Sequence, residues 1–273
     1  MDCVLFFKSV FALFFSAALL FSSSTQGQVL KKIKEFRPGK IENVSIDRLG
    51  NFFLIFKNGR IKKYNANGKV LASLKNEKSP TLIEPWFHPK IFVYEQVNHT
   101  WMSYDRNFKN NETYPLDPSV AISPLLVCPT GDNKLLVLDK ADYSIKSVNP
   151  FRSEVTSEFY LDSAENHPDF IYLRAYQNLI FLLDKNSGIH IYNKEGKKVN
   201  QLKTTSNNFG FFGEELYFIQ LGKIVFFDLY TEKIRELKIA DARFVLVSDE
   251  RILLVSSNDE VSIFEFSADK LKD

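Results

Sequence analysis

Cysteine is nearly missing from this chain: Cys3 and Cys128 are the two it has. Cys3 lies in an N-terminal segment expected to be removed, so no intramolecular disulfide can form and stability must come from packing. Cys128 sits in an apolar stretch, residues 123–129, the setting of a buried, inert thiol. An excess of one charge is also missing. The 35 Lys and Arg against 33 Asp and Glu leave a net charge of +2, which excludes the strongly basic domain that nucleic-acid binding calls for. The local clusters Lys31-Lys32 with Lys34 and Lys194 with Lys197-Lys198 read as charges guarding strand edges. Histidine is scarce. His88, His99, His167 and His190 are the four, and no two stand at zinc-ligand spacing. There is no Gly-x-Ser-x-Gly elbow and no glycine-rich phosphate loop after a strand. Low-complexity tracts and linkers are lacking too.

Long hydrophobic runs are likewise absent, except at the start. Lys8 precedes the apolar residues 9–21, and a tail rich in small residues runs to Gln28. This is the layout of a secretory signal, with the cut expected between Gly27 and Gln28. The run falls short of the roughly 20 residues a membrane span needs. Residues 28–273 then form one domain, expected in the periplasm or outside the cell.

What the chain does have is a repeat. Its copies are Ile61 to Asn65, Trp101 to Asp105, Ile145 to Asn149, Ile189 to Asn193, Ile224 to Asp228 and Val261 to Glu265. Each reads apolar, two spacers, aromatic (once Val), then Asn, Asp or Glu. The fourth positions are 40, 44, 44, 35 and 37 residues apart. A period near 40 built from short strands marks a propeller blade.

Aligned on this repeat, the other strands follow. Before each copy stands a short apolar run at 52–56, 91–94, 135–138, 179–183, 216–219 and 252–255. These runs do not alternate with polar residues, so they are expected to be buried on both faces, as a wedged blade requires. A preceding inner strand is placed at 44–47, 82–87, 120–127, 170–176, 209–212 and 243–247. A polar outer strand follows each copy after a turn. Asn67-Gly68 and Glu195-Gly196 carry the signal of a two-residue hairpin turn. The last unit lacks an outer strand, while residues 29–36 are strand-like and unassigned. The expectation is a six-bladed, all-β propeller of four-stranded blades, its ring closed by the N-terminal strand joining the last blade. An open array would expose far more apolar surface than monomers tolerate.

On this repeat the chain resembles the six-bladed β-propellers of the NHL and TolB-like kind. The WD-repeat Gly-His and Trp-Asp pairs, the kelch double glycine and the sialidase Asp box are all absent. The resemblance implies fold more than function.

Two functions follow. The favoured one is a non-catalytic exported scaffold, a monomer binding a protein, peptide or glycan, with no cofactor and no nucleic acid. Its loops joining second to third strands, taken as the upper face, hold Asn58, His99 and Asn186, and such loops commonly carry binding. Trp86 and Trp101 are expected near strand ends at the same rim, where aromatics anchor ligands. The alternative rests on a resemblance to gluconolactonase-type propellers, which implies a divalent-metal-dependent lactonase or esterase. Glu42, Asn43, Glu84, Asp169, Asn208 and Asp241 would then hold calcium at the channel mouth, since a hard cation takes such oxygen ligands.

Overall fold

The structure, a computed structural model, describes residues 30–76, 80–86, 90–109, 111–161 and 168–267. The expected signal at 1–27 lies outside them, as do Phe87, His88 and His167. Lys32–Phe36 is β1. The first blade comprises β2 (Ile41–Ile46), β3 (Phe52–Phe56), β4 (Arg60–Tyr64) and β5 (Val70–Lys75). The second has β6 (Leu82–Glu84), β7 (Ile91–Glu95), β8 (Thr100–Tyr104) and β9 (Asn111–Pro115). The third has β10 (Pro124–Pro129), β11 (Leu135–Asp139), β12 (Ser144–Asn149) and β13 (Glu154–Tyr160). The fourth has β14 (Phe170–Tyr176), β15 (Leu179–Asp184), β16 (Gly188–Asn193) and β17 (Lys198–Leu202). The fifth has β18 (Phe209–Phe212), β19 (Glu215–Gln220), β20 (Lys223–Asp228) and β21 (Ile234–Lys238). The sixth has β22 (Phe244–Val247), β23 (Arg251–Val255) and β24 (Val261–Glu265), with β1 antiparallel beside β24. Among the described residues these make six four-stranded sheets, a six-bladed all-β propeller.

The second strands are its packing centre. All five residues of β3 and of β11 are buried. The outer strand β13 is mostly exposed. Apolar side chains mesh between neighbouring blades. Phe52, Leu54 and Phe56 pack with Phe244, Leu246 and Ile263 between the first and last blades. Phe53, Ile55 and Ile61 face Ile83, Val93 and Met102 of the second.

Each copy of the repeat is a third strand, and its residue types now have causes. The first apolar position is buried: Ile61, Ile189, Ile224 and Val261 are 0 % exposed. The closing Asn or Asp caps the turn to the outer strand. Asn65 Oδ1 accepts the N–H groups of Asn67 and Lys69. Asp105 does the same for Asn107 and Lys109, and Asp228 for Tyr230 and Thr231. This is the local bonding at which Asn and Asp excel. The sixth copy has Glu265, the last residue of β24, and its carboxylate meets Lys31.

Three expectations are corrected. The turn at Asn67-Gly68 is longer than two residues. Asn65 N–H pairs with Lys69 C=O, so the loop is Ala66-Asn67-Gly68, with Gly68 at φ 73°. The inner strand expected from residue 120 begins at Pro124, because Ile122 and Ser123 give their N–H groups to the Asp139 carboxylate. The one expected over 82–87 stops at Glu84, before Pro85, which cannot donate to a ladder. No helix of the described residues is long and apolar enough to cross a membrane.

Candidate functional site

Strand direction sorts the loops. Those joining second to third strands share the upper face. Those joining inner to second strands, and third to outer, share the lower. A concavity of about 850 Å³ opens on the lower face, at the mouth of the central channel, and runs out between the third and fourth blades. Arg48, Trp86, Lys134, Tyr176, Lys194 and Asp249 line it. A neighbouring hollow of about 370 Å³ shares Arg48, Trp86 and Asp249 and adds Phe211.

These side chains form one ladder. The Arg48 guanidinium lies 5.4 Å from the centre of the Trp86 ring. Trp86 meets Tyr176 edge-on at 6.4 Å, and Tyr176 stacks on Phe211 at 4.0 Å. The Tyr176 hydroxyl donates to Gly213 C=O at 2.6 Å, which ties the fourth blade to the fifth. Arg48 is exposed and, among the described residues, forms no ion pair at contact distance. A cation and two partly exposed rings, Arg48 with Trp86 and Tyr176, from three blades therefore share one opening, with the buried Phe211 of a fourth blade stacked behind Tyr176, and cation–π contact orients the cation there.

Below the mouth a buried ion pair crosses the channel. Arg174 Nε is 2.6 Å from Glu84 Oε2, and both side chains are almost wholly buried. Trp86 N–H donates to Glu84 Oε1 at 2.8 Å, so the carboxylate that pairs with Arg174 also positions the aromatic above it. The Arg174 guanidinium lies 5.5 Å from the Phe211 ring. Burial pushes the Glu84 carboxyl up, while Arg174, the Trp86 N–H and Arg48 pull it down. Burial disfavours the Arg174 charge most, and the Glu84 carboxylate together with Tyr172 and Tyr217 outweighs it, so the guanidinium stays charged. Burial also pushes the Cys128 thiol and the Tyr172 phenol up to about 12, so neither ionises at neutral pH.

The residues singled out from sequence do not form one site. Asn58, His99 and Asn186 are exposed on the upper face. Asn58 Oδ1 accepts Arg60 N–H, His99 adopts φ 49° at the end of a short 3₁₀ turn, and Asn186 N–H bonds to Asp184. Trp86, expected at that same rim, stands on the opposite face, because it follows an inner strand. Trp101 is 6 % exposed and stacks between Phe92 and Tyr114 at 5.7 and 4.4 Å; its ring packs blade two.

The oxygen-bearing candidates have separate partners. Glu42 lies 3.9 Å from Lys57, and Asn43 Oδ1 accepts Val44 N–H. Asp169 pairs with Lys185 at 2.9 Å, and Asp241 accepts from Ser257. Asn208 is buried and brackets Val245 through both its C=O and its N–H, joining the fifth inner strand to the sixth. Glu84 sits at the end of its inner strand, not the start. Among the described residues no group of three or more His, Cys, Asp or Glu could hold a metal ion.

Two polar clusters on the upper face are latches within hairpins. Lys146 Nζ lies 2.9 Å from Asp139 and 3.2 Å from Asp142. In the next blade Ser187 Oγ is 2.6 Å from both Asp184 Oδ2 and His190 Nε2. Asp139 and Asp184 both end second strands, so the two latches occupy equivalent places. Arg48, Tyr176 and Asp249 went unnoticed in sequence. A usable signal exists for some: Arg48, Trp86 and Asp249 each lie two residues beyond the end of an inner strand.

No protein-family model matches the chain, and no curated protein does. Solved structures do. BBS1N, solved in complex with ARL6DN, is 11% identical with a TM-score of 0.58, over 89% of this chain and 98% of that one. The Pan2 WD40 domain of Neurospora crassa is 10% identical with a TM-score of 0.57, over 86% and 94%. Virginiamycin B lyase of Staphylococcus aureus, solved with quinupristin, is 14% identical with a TM-score of 0.53, over 83% and 80%. At such identities the likeness is one of fold, and the chain is a six-bladed β-propeller.

Proposed function

We propose that this protein is a non-catalytic, exported binding scaffold whose lower channel mouth holds a peptide segment of a partner protein. The observation that carries the reading is the ladder of Arg48, Trp86 and Tyr176 around one opening, backed by the buried Phe211. Aromatic and Arg side chains in a concave, rigid setting are the usual anchors of protein recognition. The ion pair beneath them holds the floor in place, so little entropy is lost on binding. A similar propeller solved with a partner, BBS1N with ARL6DN, is consistent with this, as is the signal-like start of the chain.

The test uses a phage-displayed library of random twelve-residue peptides selected on the full chain. Selected peptides should lose at least tenfold in affinity on Trp86→Ala and on Arg48→Ala, the loss expected for anchor residues. Both variants should melt within a few degrees of the parent. Failure to enrich any peptide on the parent over Trp86→Ala would reject the reading.

A further inference from the structure

A second recessed surface lies on the upper face, away from the mouth. Between the loop leading into β2 and the β3–β4 hairpin is a hollow of about 330 Å³. Its polar lining is cationic: Lys40, Lys57, Arg60 and Lys62 surround it, with Asn58 at the rim and no carboxylate in the wall. Its floor is the Phe56 ring, with Gly39 packed against it; a Cβ at Gly39 would lie 3.8 Å from that ring.

The backbone holds the four cations together. Lys57 N–H donates to Lys40 C=O at 3.2 Å, so these two residues are neighbours. Arg60 and Lys62 are two apart on β4, which puts both on one side of the strand, about 7 Å apart. Lys62 Nζ lies 5.7 Å from the centre of the Phe56 ring, which leans its charge over the hollow. Among the described residues, Lys57 alone of the four has an ion-pair partner, Glu42 at 3.9 Å. Among the described residues Lys40, Arg60 and Lys62 have no ion-pair partner. Elsewhere on the same surface three cations are paired: Arg37 with Glu260, Lys185 with Asp169, Lys223 with Glu236.

Four like charges around one recess repel one another and raise the local potential, and a bound counter-charge relieves both effects. A guanidinium offers two parallel N–H donors to an oxyanion, and ammonium groups add point charges from the sides. We infer that this hollow is an oxyanion site, built to hold a sulfate or phosphate group, either free or carried on a polymer.

Two probes separate the sources: inorganic phosphate, and a sulfated polysaccharide of the heparin type. Binding to the full chain is followed through the amide resonances of Gly39 and Gly59 and by calorimetry at low salt. The parent should bind at least one probe saturably, with both amides shifting. Arg60→Ala with Lys62→Ala should weaken that binding tenfold or more. Lys197→Ala with Lys203→Ala, an equal loss of charge far from the hollow, should change it less than twofold. Response to inorganic phosphate identifies a free-anion site; response to the polysaccharide alone identifies a polymer-borne group. The exposed single change Lys40→Gln should weaken binding severalfold even if the double variant folds poorly. The proposal is overturned if the parent binds neither probe, or if the remote pair weakens binding as much as the local one.

Discussion

Single side chains here act mainly as fasteners between loops. Asp139 is the clearest case. Burial by itself would raise its carboxyl, but the Lys146 ammonium and the N–H groups of Ala141, Ile122 and Ser123 outweigh burial and hold it at about 2. The unfolded value is about 3.9, so the folded state binds this proton less tightly. The resulting stability, about 2.5 kcal/mol, is therefore present above pH ~4 and lost as pH falls towards ~2. Denaturant titrations should show that loss in the parent, and Asp139→Asn should abolish the contribution at every pH. The pair Glu84 and Arg174 tests a different rule. Glu84→Gln or Arg174→Met alone should cost about 3–5 kcal/mol, because each strands a buried charge or its donors. Replacing both with Leu and Met should restore most of the loss in urea melts. Gly210 depends on space. It lies opposite Tyr217, whose hydroxyl would be 2.2 Å from an added Cβ. Gly210→Ala should destabilise by about 1–3 kcal/mol, the usual range for overpacking, measured by the same melts.

At the level of elements, the blade is the repeating unit and β1 is its exception. β1 joins residues from the start of the described chain to the last sheet, with Phe36 opposite Val261 and Lys32 opposite Phe264. Its own residues are half-buried or exposed, so its contribution is to cover the edge of β24, where Ile263 is fully buried. A chain lacking residues 1–36 should expose that edge and self-associate. Light scattering should then rise with concentration for the truncated chain and stay flat for the parent. The repeat was legible in sequence because each hairpin is local: apolar anchor, aromatic and turn-capping Asn or Asp all fall within five residues. Inner-strand bounds were less legible. At β10 a side chain from another strand, Asp139, takes N–H groups that a ladder would have used.

Across the whole molecule, blades lean on their neighbours through apolar contacts and a few bridging bonds. Tyr94 donates to Pro124 C=O at 2.9 Å between blades two and three, and Arg243 to Ile41 C=O at 2.7 Å between blades six and one. Blades so joined should unfold together. Far-UV circular dichroism and the fluorescence of Trp101 should report one coincident transition; separate midpoints would show that the blades melt independently.

The sequence by itself determined the kind of blade and the number of blades, because each depends on hairpins whose determinants are close along the chain. It could equally show that Cys128 would be buried, since an apolar run has few other places to go. Only the tertiary structure decided which face is concave and which aromatic is free. Trp86 and Trp101 are alike in sequence, yet one rises beside Arg48 at the mouth and the other is sandwiched within its blade. The mouth collects Arg48, Trp86, Tyr176 and Phe211 from four blades, and the ion pair beneath it links Glu84 to Arg174 across the channel. Residues so far apart along the chain come together through the curvature of the ring, which no local pattern encodes.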